Sequence, residues 1–305
     1  MGSLNKLYGA DWVAADYIGL ARPKPFRFVT WQHGWVYNPC RSGLVITGTH
    51  TPKKRNLYLV ARDKDASVLL EHGLLAQPIG IPFAYTREPE KERELGTAIF
   101  FPDHSHGVDR VVYGQSQVAF RNYIHDVLNE TGWTGAISLH GDDFVDADTR
   151  SFWENVGLPV IQGATPSDIN TLQAQRDRLS KFDYVVGQGY TSAIAYASFS
   201  GAKVSVWPEA VPSTWAVNDP RHVDRPLVVL EQLEELRAGE EWLFCWAPDA
   251  QTSEAWGAEQ IGVSYKASPA DLKKIIGWDF YGVFRGRALN AYLEAKKALR
   301  RARIA

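Results

Sequence analysis

The segment that most constrains the fold is residues 182–209, which read FDYVVGQGYTSAIAYASFSGAKVSVWPE. Its pattern is typical of a strand, a glycine turn, a short helix and a second strand. Gly187 and Gly189 predict a sharp turn, because glycine tolerates positive φ. Gly201 predicts the end of the helix. A strand that leads into a glycine-rich helix N-terminus presents free N–H groups to a phosphate, so this unit predicts an anionic ligand site.

Apolar runs and helical spacing alternate from residue 96 to about residue 210. Strands that alternate with helices of this length indicate parallel pairing through right-handed crossovers, and therefore an α/β fold with a doubly wound sheet. The predicted strands are residues 97–101, 135–139, 158–161, 183–186 and 203–207; the predicted helices are residues 115–129, 149–156, 167–179 and 193–199.

The first 95 residues predict a smaller α/β unit, with strands at 26–31, 57–61 and 79–85 and a helix at 66–72. The polar run TREPEKERE at 86–94 is interpreted as a linker, or equally as the start of a solvated helix. The sequence therefore predicts an N-terminal domain (1–95), a C-terminal domain (96–270) and a C-terminal helical segment (271–305) that packs across both.

Composition limits the class of protein. A formal charge of −2 over 305 residues argues against a protein coated in nucleic acid, and no apolar run is long enough to predict a membrane span. Cys40 and Cys245 show no CxxC spacing, which favours a reduced, cytoplasmic setting. The basic end of the predicted helix at 281–303 is interpreted as a solvated tail or as a peripheral contact with the inner membrane face.

Polar clusters follow four of the predicted strands. Ligands of open α/β sheets lie beyond the carboxyl ends of the strands, so these clusters predict a single ligand site along one edge. They are residues 103–107, 140–143, 162–165 and 187–192.

Several residues of these clusters suggest specific chemistry. His104 and His106 flank Ser105, and the three could contact a phosphate or a ribose. The histidines could also ligate a metal, but no third ligand has the supporting spacing, and no metal site is predicted. Asp142 and Asp143 follow His140 and are interpreted either as an acid/base pair or as helix caps.

His33 lies between Trp31 and Trp35 just after a predicted strand. A histidine there could enter a cleft between the two halves, where a pKa near neutrality suits removal of a proton from a sugar hydroxyl. The alternative is a histidine packed in the core between two tryptophans.

Three segments together suggest a family. Residues 187–207, with a Ser/Thr-bearing turn, a small-residue helix and the strand start GAKV at 201–204, resemble the donor-binding segment of bacterial cell-surface polysaccharide glycosyltransferases of the GT-B fold; the proline of the family's GKPV-like strand is absent. Residues 32–34, QHG, resemble an early "HG" element of capsule and teichoic acid transferases. Residues 137–161 are similar to the middle of the second Rossmann-like domain in related proteins.

This resemblance implies two Rossmann-like domains that face a cleft, with the donor nucleotide mostly in the second domain. It implies a metal-independent transfer of a sugar from a nucleotide-sugar donor to a cell-surface glycan or lipid-linked acceptor, with no further cofactor. The implied donor-binding residues are Gly187, Gly189, Thr191 and Ser192 for the phosphate and His104, Ser105, His106 and His140 for the nucleotide. His33 is the implied base, with Asp142 or Asp143 as rival.

Three other functions remain open at this stage. Gly187, Gly189 and Ser192 partly match a dinucleotide fingerprint, and Glu209 follows about 20 residues later, which would suit an NAD(P)-dependent oxidoreductase. A sugar-nucleotide epimerase or hydrolase could use the same architecture. A non-catalytic protein that binds sugar nucleotides is the third alternative.

Overall fold

The computed structural model describes residues 4–26, 28–38, 55–90, 92–104, 110–189, 191–210 and 233–279, with the backbone alone at 110–115. Within this part of the chain, three strands form a parallel sheet in the order β1-β2-β3. They are β1 (Val29–Trp31), β2 (Leu57–Val60) and β3 (Leu75–Pro78).

A second sheet of the described residues has six strands in the order β6-β5-β4-β7-β8-β9. They are β4 (Glu94–Phe101), β5 (Thr134–Leu139), β6 (Val160–Gln162), β7 (Phe182–Gly187), β8 (Lys203–Val206) and β9 (Gln251–Thr252). The pairs are parallel up to β8, and β9 joins antiparallel. The strand order reverses between β4 and β7, which is where doubly wound folds open a crevice for a ligand.

The α-helices flank these sheets. Those whose bounds are both described are α1 (Ala10–Ile18), α2 (Asp63–Glu71), α3 (Arg110–Thr131), α4 (Gly141–Val145), α5 (Ala147–Glu154), α6 (Thr171–Leu179), α7 (Ser192–Phe199), α8 (Glu254–Ile261) and α9 (Pro269–Ile275). The mixed α/β class, the parallel sheets and the strand-helix alternation after residue 96 are therefore confirmed.

The strand predicted at 79–85 is wrong. The third strand of the first sheet lies earlier, at Leu75–Pro78, and Pro82–Tyr85 form a 3-10 helix with the proline in its first turn. The run is apolar because it is buried: Ile79, Ile81 and Phe83 are at most 1% exposed. A short apolar run does not distinguish a buried strand from other buried backbone.

The two sheets share one hydrophobic core. Trp31 and Leu59 of the first sheet belong to the same buried cluster as Val185 of the second. Phe83 and Tyr196 stack across the two halves, with ring centroids 3.8 Å apart and planes inclined by 4°. This core joins the two predicted domains. The division at residue 95 therefore does not separate two hydrophobic cores, and it stays a prediction.

Helix α8 also connects the halves. The carbonyl of Ile261, at its end, accepts a hydrogen bond from the amide of Ile81 at 3.0 Å. Gln260 Oε1 accepts from Trp35 Nε1 at 3.2 Å and from Arg62 Nη1 at 2.6 Å. The chain segment that follows the second sheet therefore supports the loop that follows β1.

Two sequence predictions fall wholly or partly outside the described residues. The helix predicted at 281–303, and with it the peripheral membrane contact, lies beyond residue 279. Cys40 also lies outside, whereas Cys245 is a half-buried free cysteine. Among the helices that are described, none is both long enough and apolar enough to span a bilayer.

Candidate functional site

Strands β4 and β7 end side by side at the point where the strand order reverses, and Gln188 fixes both ends. Its amide donates to the carbonyl of Phe101 at 2.9 Å, and its Oε1 accepts from the amide of Asp103 at 3.0 Å. Its side-chain nitrogen donates to Ser116 Oγ at 2.9 Å. Gln188 is 2% exposed, so it acts as a buried clamp between the two loops.

Gly187 and Gly189 are required for a reason other than the predicted one. Neither is among the glycines with positive φ. A Cβ at Gly189 would lie 2.9 Å from Oδ2 of Asp103, and a Cβ at Gly187 would lie 3.0 Å from the side chain of Ile194. Close packing, not left-handed backbone, explains these two glycines, whereas Gly201 does end α7 with a φ of +79°.

The Asp103 carboxyl therefore borders the β7 loop directly. Burial raises the pKa of Asp103 to about 7, and the charge of His104 opposes that shift. An anion that approached Gly189 would meet this carboxyl group. This carboxyl group therefore does not favour an anionic ligand at Gly189.

His104 is held by a buried carboxylate. Its Nδ1 lies 2.8 Å from Oδ2 of Asp143, and a carboxylate can only accept, so the ring donates this hydrogen bond. Asp143 is 4% exposed, and its Oδ2 atom is engaged by this hydrogen bond to the imidazole. Asp143 therefore orients His104, which does not favour the role of base that the sequence suggested for it.

His140 stacks on His104, with ring centroids 3.8 Å apart and planes inclined by 25°. Burial, together with the charge of His104, lowers the pKa of His140, although Asp142 and Asp143 oppose the shift. His140 also caps α4, because its Nδ1 accepts from the amide of Asp142 at 3.3 Å. Two imidazoles from different loops thus form one pair at this edge.

Asp142 completes the group from the solvent side. Its carboxylate is 79% exposed, and its Oδ2 lies 4.0 Å from His104 Nε2 and 3.8 Å from His140 Nδ1. His104, His140 and Asp142 each offer one ligand atom within 4.8 Å of the others. The sequence did not predict this group, because only the close pair His104 and His106 was considered, whereas the fold brings His104 beside His140 and Asp142, which lie 36 and 38 positions away.

Helix α7 begins at the same edge and contacts the first half of the chain. Thr191 is its N-cap, with the hydroxyl accepting from the amide of Ala193 at 3.4 Å. Ser192 Oγ accepts from the amide of Trp35 at 3.0 Å, and a Cβ at Gly34 would lie 3.3 Å from the same oxygen. The Ser192 hydroxyl therefore joins the QHG segment to the second sheet.

His33 lies beside this junction. It is half-buried, and its ring lies 6.2 Å from the ring of Tyr8, nearly parallel to it. Trp31 and Trp35 are at most 3% exposed, so the two tryptophans lie in the core and His33 lies at its margin. The prediction of a core histidine is thus not supported.

Tyr8 contacts both His33 and the loop that follows β6. The amide of Tyr8 donates to the carbonyl of Pro166, in the loop that follows β6, at 2.9 Å. Burial raises the pKa of the Tyr8 phenol, and the nearby charge of Asp142 raises it further. No sequence pattern indicated Tyr8, because its position depends on tertiary contacts with His33, 25 positions away, and Pro166, 158 positions away.

The structure thus brings most of the predicted site residues to one edge of the second sheet. Nine of them border it directly or through one contacting residue: His33, His104, His140, Asp142, Asp143, Gly187, Gly189, Thr191 and Ser192. Ser105 and His106 lie outside the described residues. Asp103, Gln188 and Tyr8 are additions; Asp103 and Gln188 stood within predicted polar clusters, and Tyr8 did not.

Comparisons with known proteins add little to this geometry. No protein-family model matches the chain, and no curated protein matches it. A crystal structure of a variant of TarM from S. aureus, in complex with fondaparinux, alpha-GlcNAc-glycerol and UDP, is similar at 12% identity and a TM-score of 0.33. It covers 72% of this chain, and the chain spans 42% of that structure. A second TarM structure gives 11% identity, a TM-score of 0.30, 78% coverage of this chain and 42% of the other. Likenesses at these TM-scores carry no weight for function, and the proposals below rest on the chain's own residues.

Proposed function

We propose that this chain is a glycosyltransferase that binds a nucleotide-sugar at the carboxyl edge of the six-stranded sheet. The observation that carries the proposal is the meeting of the loops after β4, β5 and β7 with the QHG segment after β1. The hydrogen bond from the Trp35 amide to Ser192 Oγ joins the two halves there, and the His104–His140 pair lies at the same edge. Such an edge, at a strand-order reversal, is the usual ligand position in doubly wound folds.

The residues of this edge suit the transfer of a group from a phosphate. His104 and His140 can face the negative charge that develops on the leaving phosphate. Electrostatic stabilisation of such a charge in the transition state is usually the largest contribution to catalysis. His33, at the margin of the core beside Tyr8, is the proposed base. It would take the proton of an acceptor hydroxyl while that oxygen bonds to the anomeric carbon and the bond from that carbon to the donor's phosphate oxygen breaks.

The acceptor is proposed from the sequence resemblance. A cell-surface glycan, or a lipid that carries one, is the acceptor that the QHG element and the 187–207 segment imply. A cytoplasmic location, with the donor nucleotide available, belongs to the same proposal.

The geometry favours this function over an NAD(P)-dependent oxidoreductase. The partial fingerprint follows β7, whereas the dinucleotide loop of a sheet with this strand order follows the strand in the position of β4. The second glycine of a true fingerprint lets the pyrophosphate approach the backbone. At Gly189 that approach is occupied by the carboxyl of Asp103.

Thermal unfolding in the presence of a panel of nucleotides tests the proposal. A nucleoside mono- or diphosphate at about 100 times its Kd should raise the free energy of unfolding by about 2.7 kcal/mol, because it binds only the folded state. The panel includes nicotinamide dinucleotides and inorganic phosphate. Substituting His104→Ala should reduce the nucleotide effect, and His72→Ala, at the exposed end of α2, should leave it unchanged.

Two results would contradict the proposal. Stabilisation by a nicotinamide dinucleotide alone would assign the edge to an oxidoreductase. If no member of the panel stabilises the chain, the proposal of nucleotide-sugar transfer is wrong.

A further inference from the structure

The group formed by His104, His140 and Asp142 has the composition of a metal site, and the proposed transfer does not require that composition. The group provides two imidazoles and one carboxylate, whose ligand atoms all lie within 4.8 Å of one another. A nucleotide phosphate would be attracted by the imidazoles alone. A carboxylate beside them repels a phosphate and attracts a cation, so Asp142 needs an explanation of its own.

The two distances from the Asp142 carboxylate to the imidazoles are close to those between the ligands of a coordinated ion. Zn²⁺ binds nitrogen and oxygen ligands at about 2.0–2.2 Å, which places ligand atoms about 3.4 Å apart in a tetrahedral site. Asp142 Oδ2 is 4.0 Å from His104 Nε2 and 3.8 Å from His140 Nδ1. A shift of about half an ångström by the exposed carboxylate of Asp142 would shorten both distances to about 3.4 Å. Ligation through His140 Nδ1 would replace only a long hydrogen bond, the one from the Asp142 amide at 3.3 Å.

Asp143 strengthens this interpretation. Histidines that bind metals usually donate their other ring N–H to a carboxylate or carbonyl, which fixes the tautomer and turns the ligating nitrogen toward the ion. His104 has this arrangement, with Nδ1 on the buried Asp143 at 2.8 Å and Nε2 toward Asp142. The arrangement comes from two different loops, those that follow β4 and β5.

We propose that His104, His140 and Asp142 bind one divalent transition-metal ion of the Zn²⁺ type, oriented by Asp143. Two histidines and one carboxylate suit Zn²⁺ and its neighbours, whereas Mg²⁺ prefers oxygen ligands alone. Three protein ligands leave a fourth position, which an oxygen of the donor's phosphate would occupy. The phosphate as fourth ligand rests on the proposed function, and the ion site itself does not. A bound ion would replace the metal-independent transfer that the family resemblance implies.

Two titrations of the chelator-treated full chain test the site. Calorimetry measures the binding of Zn²⁺, and the visible absorption spectrum measures the binding of Co²⁺. One ion per chain should bind, and an equal concentration of Mg²⁺ should not displace it. Asp142→Asn should weaken binding by about 100-fold, and Asp143→Asn by about 10-fold to 100-fold. Asp142 is 79% exposed, so its replacement leaves the fold intact; Asp148→Asn, at an exposed position of the neighbouring α5, is the matched control.

Loss of stoichiometric binding in His104→Ala and His140→Ala, with full binding in Asp148→Asn, supports the site. Binding of unchanged affinity in Asp142→Asn, or no binding to the unaltered chain, overturns it. Nucleotides added to the chelated chain separate the two proposals. A nucleotide that stabilises a chain unable to bind Zn²⁺ removes the ion site and keeps the transferase. An ion that binds while no nucleotide does keeps the ion site and removes the transferase.

Discussion

Replacing Arg62 with Met should lower the free energy of unfolding by about 3–5 kcal/mol, because the change leaves a buried carboxylate without its partner. Arg62 is 4% exposed and Asp65 is fully buried, and Arg62 Nε lies 3.1 Å from Asp65 Oδ2. The same guanidinium donates to Gln260 Oε1 and to the carbonyls of Val36 and Tyr37. Equilibrium unfolding in urea measures the change.

A double variant shows whether the uncompensated charge is the cause. Arg62→Met combined with Asp65→Leu removes both charges and should recover at least about 2 kcal/mol, because apolar replacements of a buried ion pair are often tolerated. Lys64→Met, on the same helix turn, is the exposed-charge control and should change stability by less than about 0.5 kcal/mol. An Arg62→Met chain within 1 kcal/mol of the unaltered protein would contradict the interpretation.

Replacing His33 with Ala should lower the rate constant for sugar transfer by about 100-fold to 10,000-fold, the usual contribution of a general base. Because His33 lies on the QHG segment and the proposed phosphate contacts lie on the loops after β4 and β5, affinity for the nucleotide should remain within about threefold. Transfer and donor hydrolysis are measured at saturating nucleotide-sugar, with nucleotide affinity determined separately.

The matched control for this change is His72→Ala, which removes an imidazole far from the site and should leave the rate unchanged. The Tyr8→Phe variant keeps the ring beside His33 and removes only the phenolic hydroxyl group. Its rate should stay within tenfold of that of the unaltered protein, since His33 itself takes the proton. Unchanged transfer in His33→Ala would remove this residue from the mechanism, and lost nucleotide binding would assign it to the donor instead.

The sequence predicted the second half of the fold well because its signals are local. Apolar runs and helical periodicity recur there at short intervals, and Gly201 has the positive φ that ends a helix. The prediction failed at 79–85, where burial made 3-10 backbone as apolar as a strand. Helix α1 was missed, because the first 25 residues had no clear helical pattern, and its small buried side chains include Ala10 and Ala14.

The edge of the sheet was predictable, but its chemistry was not. Parallel strands end at one edge, so polar clusters after β4, β5 and β7 had to approach each other. The pairings depend on side-chain contacts across the fold: His104 meets Asp143 from 39 residues away, and Trp35 meets Ser192 from 157. The grouping of His104, His140 and Asp142 and the position of Tyr8 therefore depend on the three-dimensional fold, and no spacing rule could have supplied them.

The central claim is that a nucleotide binds among the histidines of this edge, and the imidazole NMR signals of the chain test it most directly. The protein has eight histidines, which single His→Gln variants assign. A saturating nucleoside diphosphate should shift the signals of His33, His104 and His140 and leave that of His72 in place. A nucleotide that binds while those three signals stay unchanged would contradict the account.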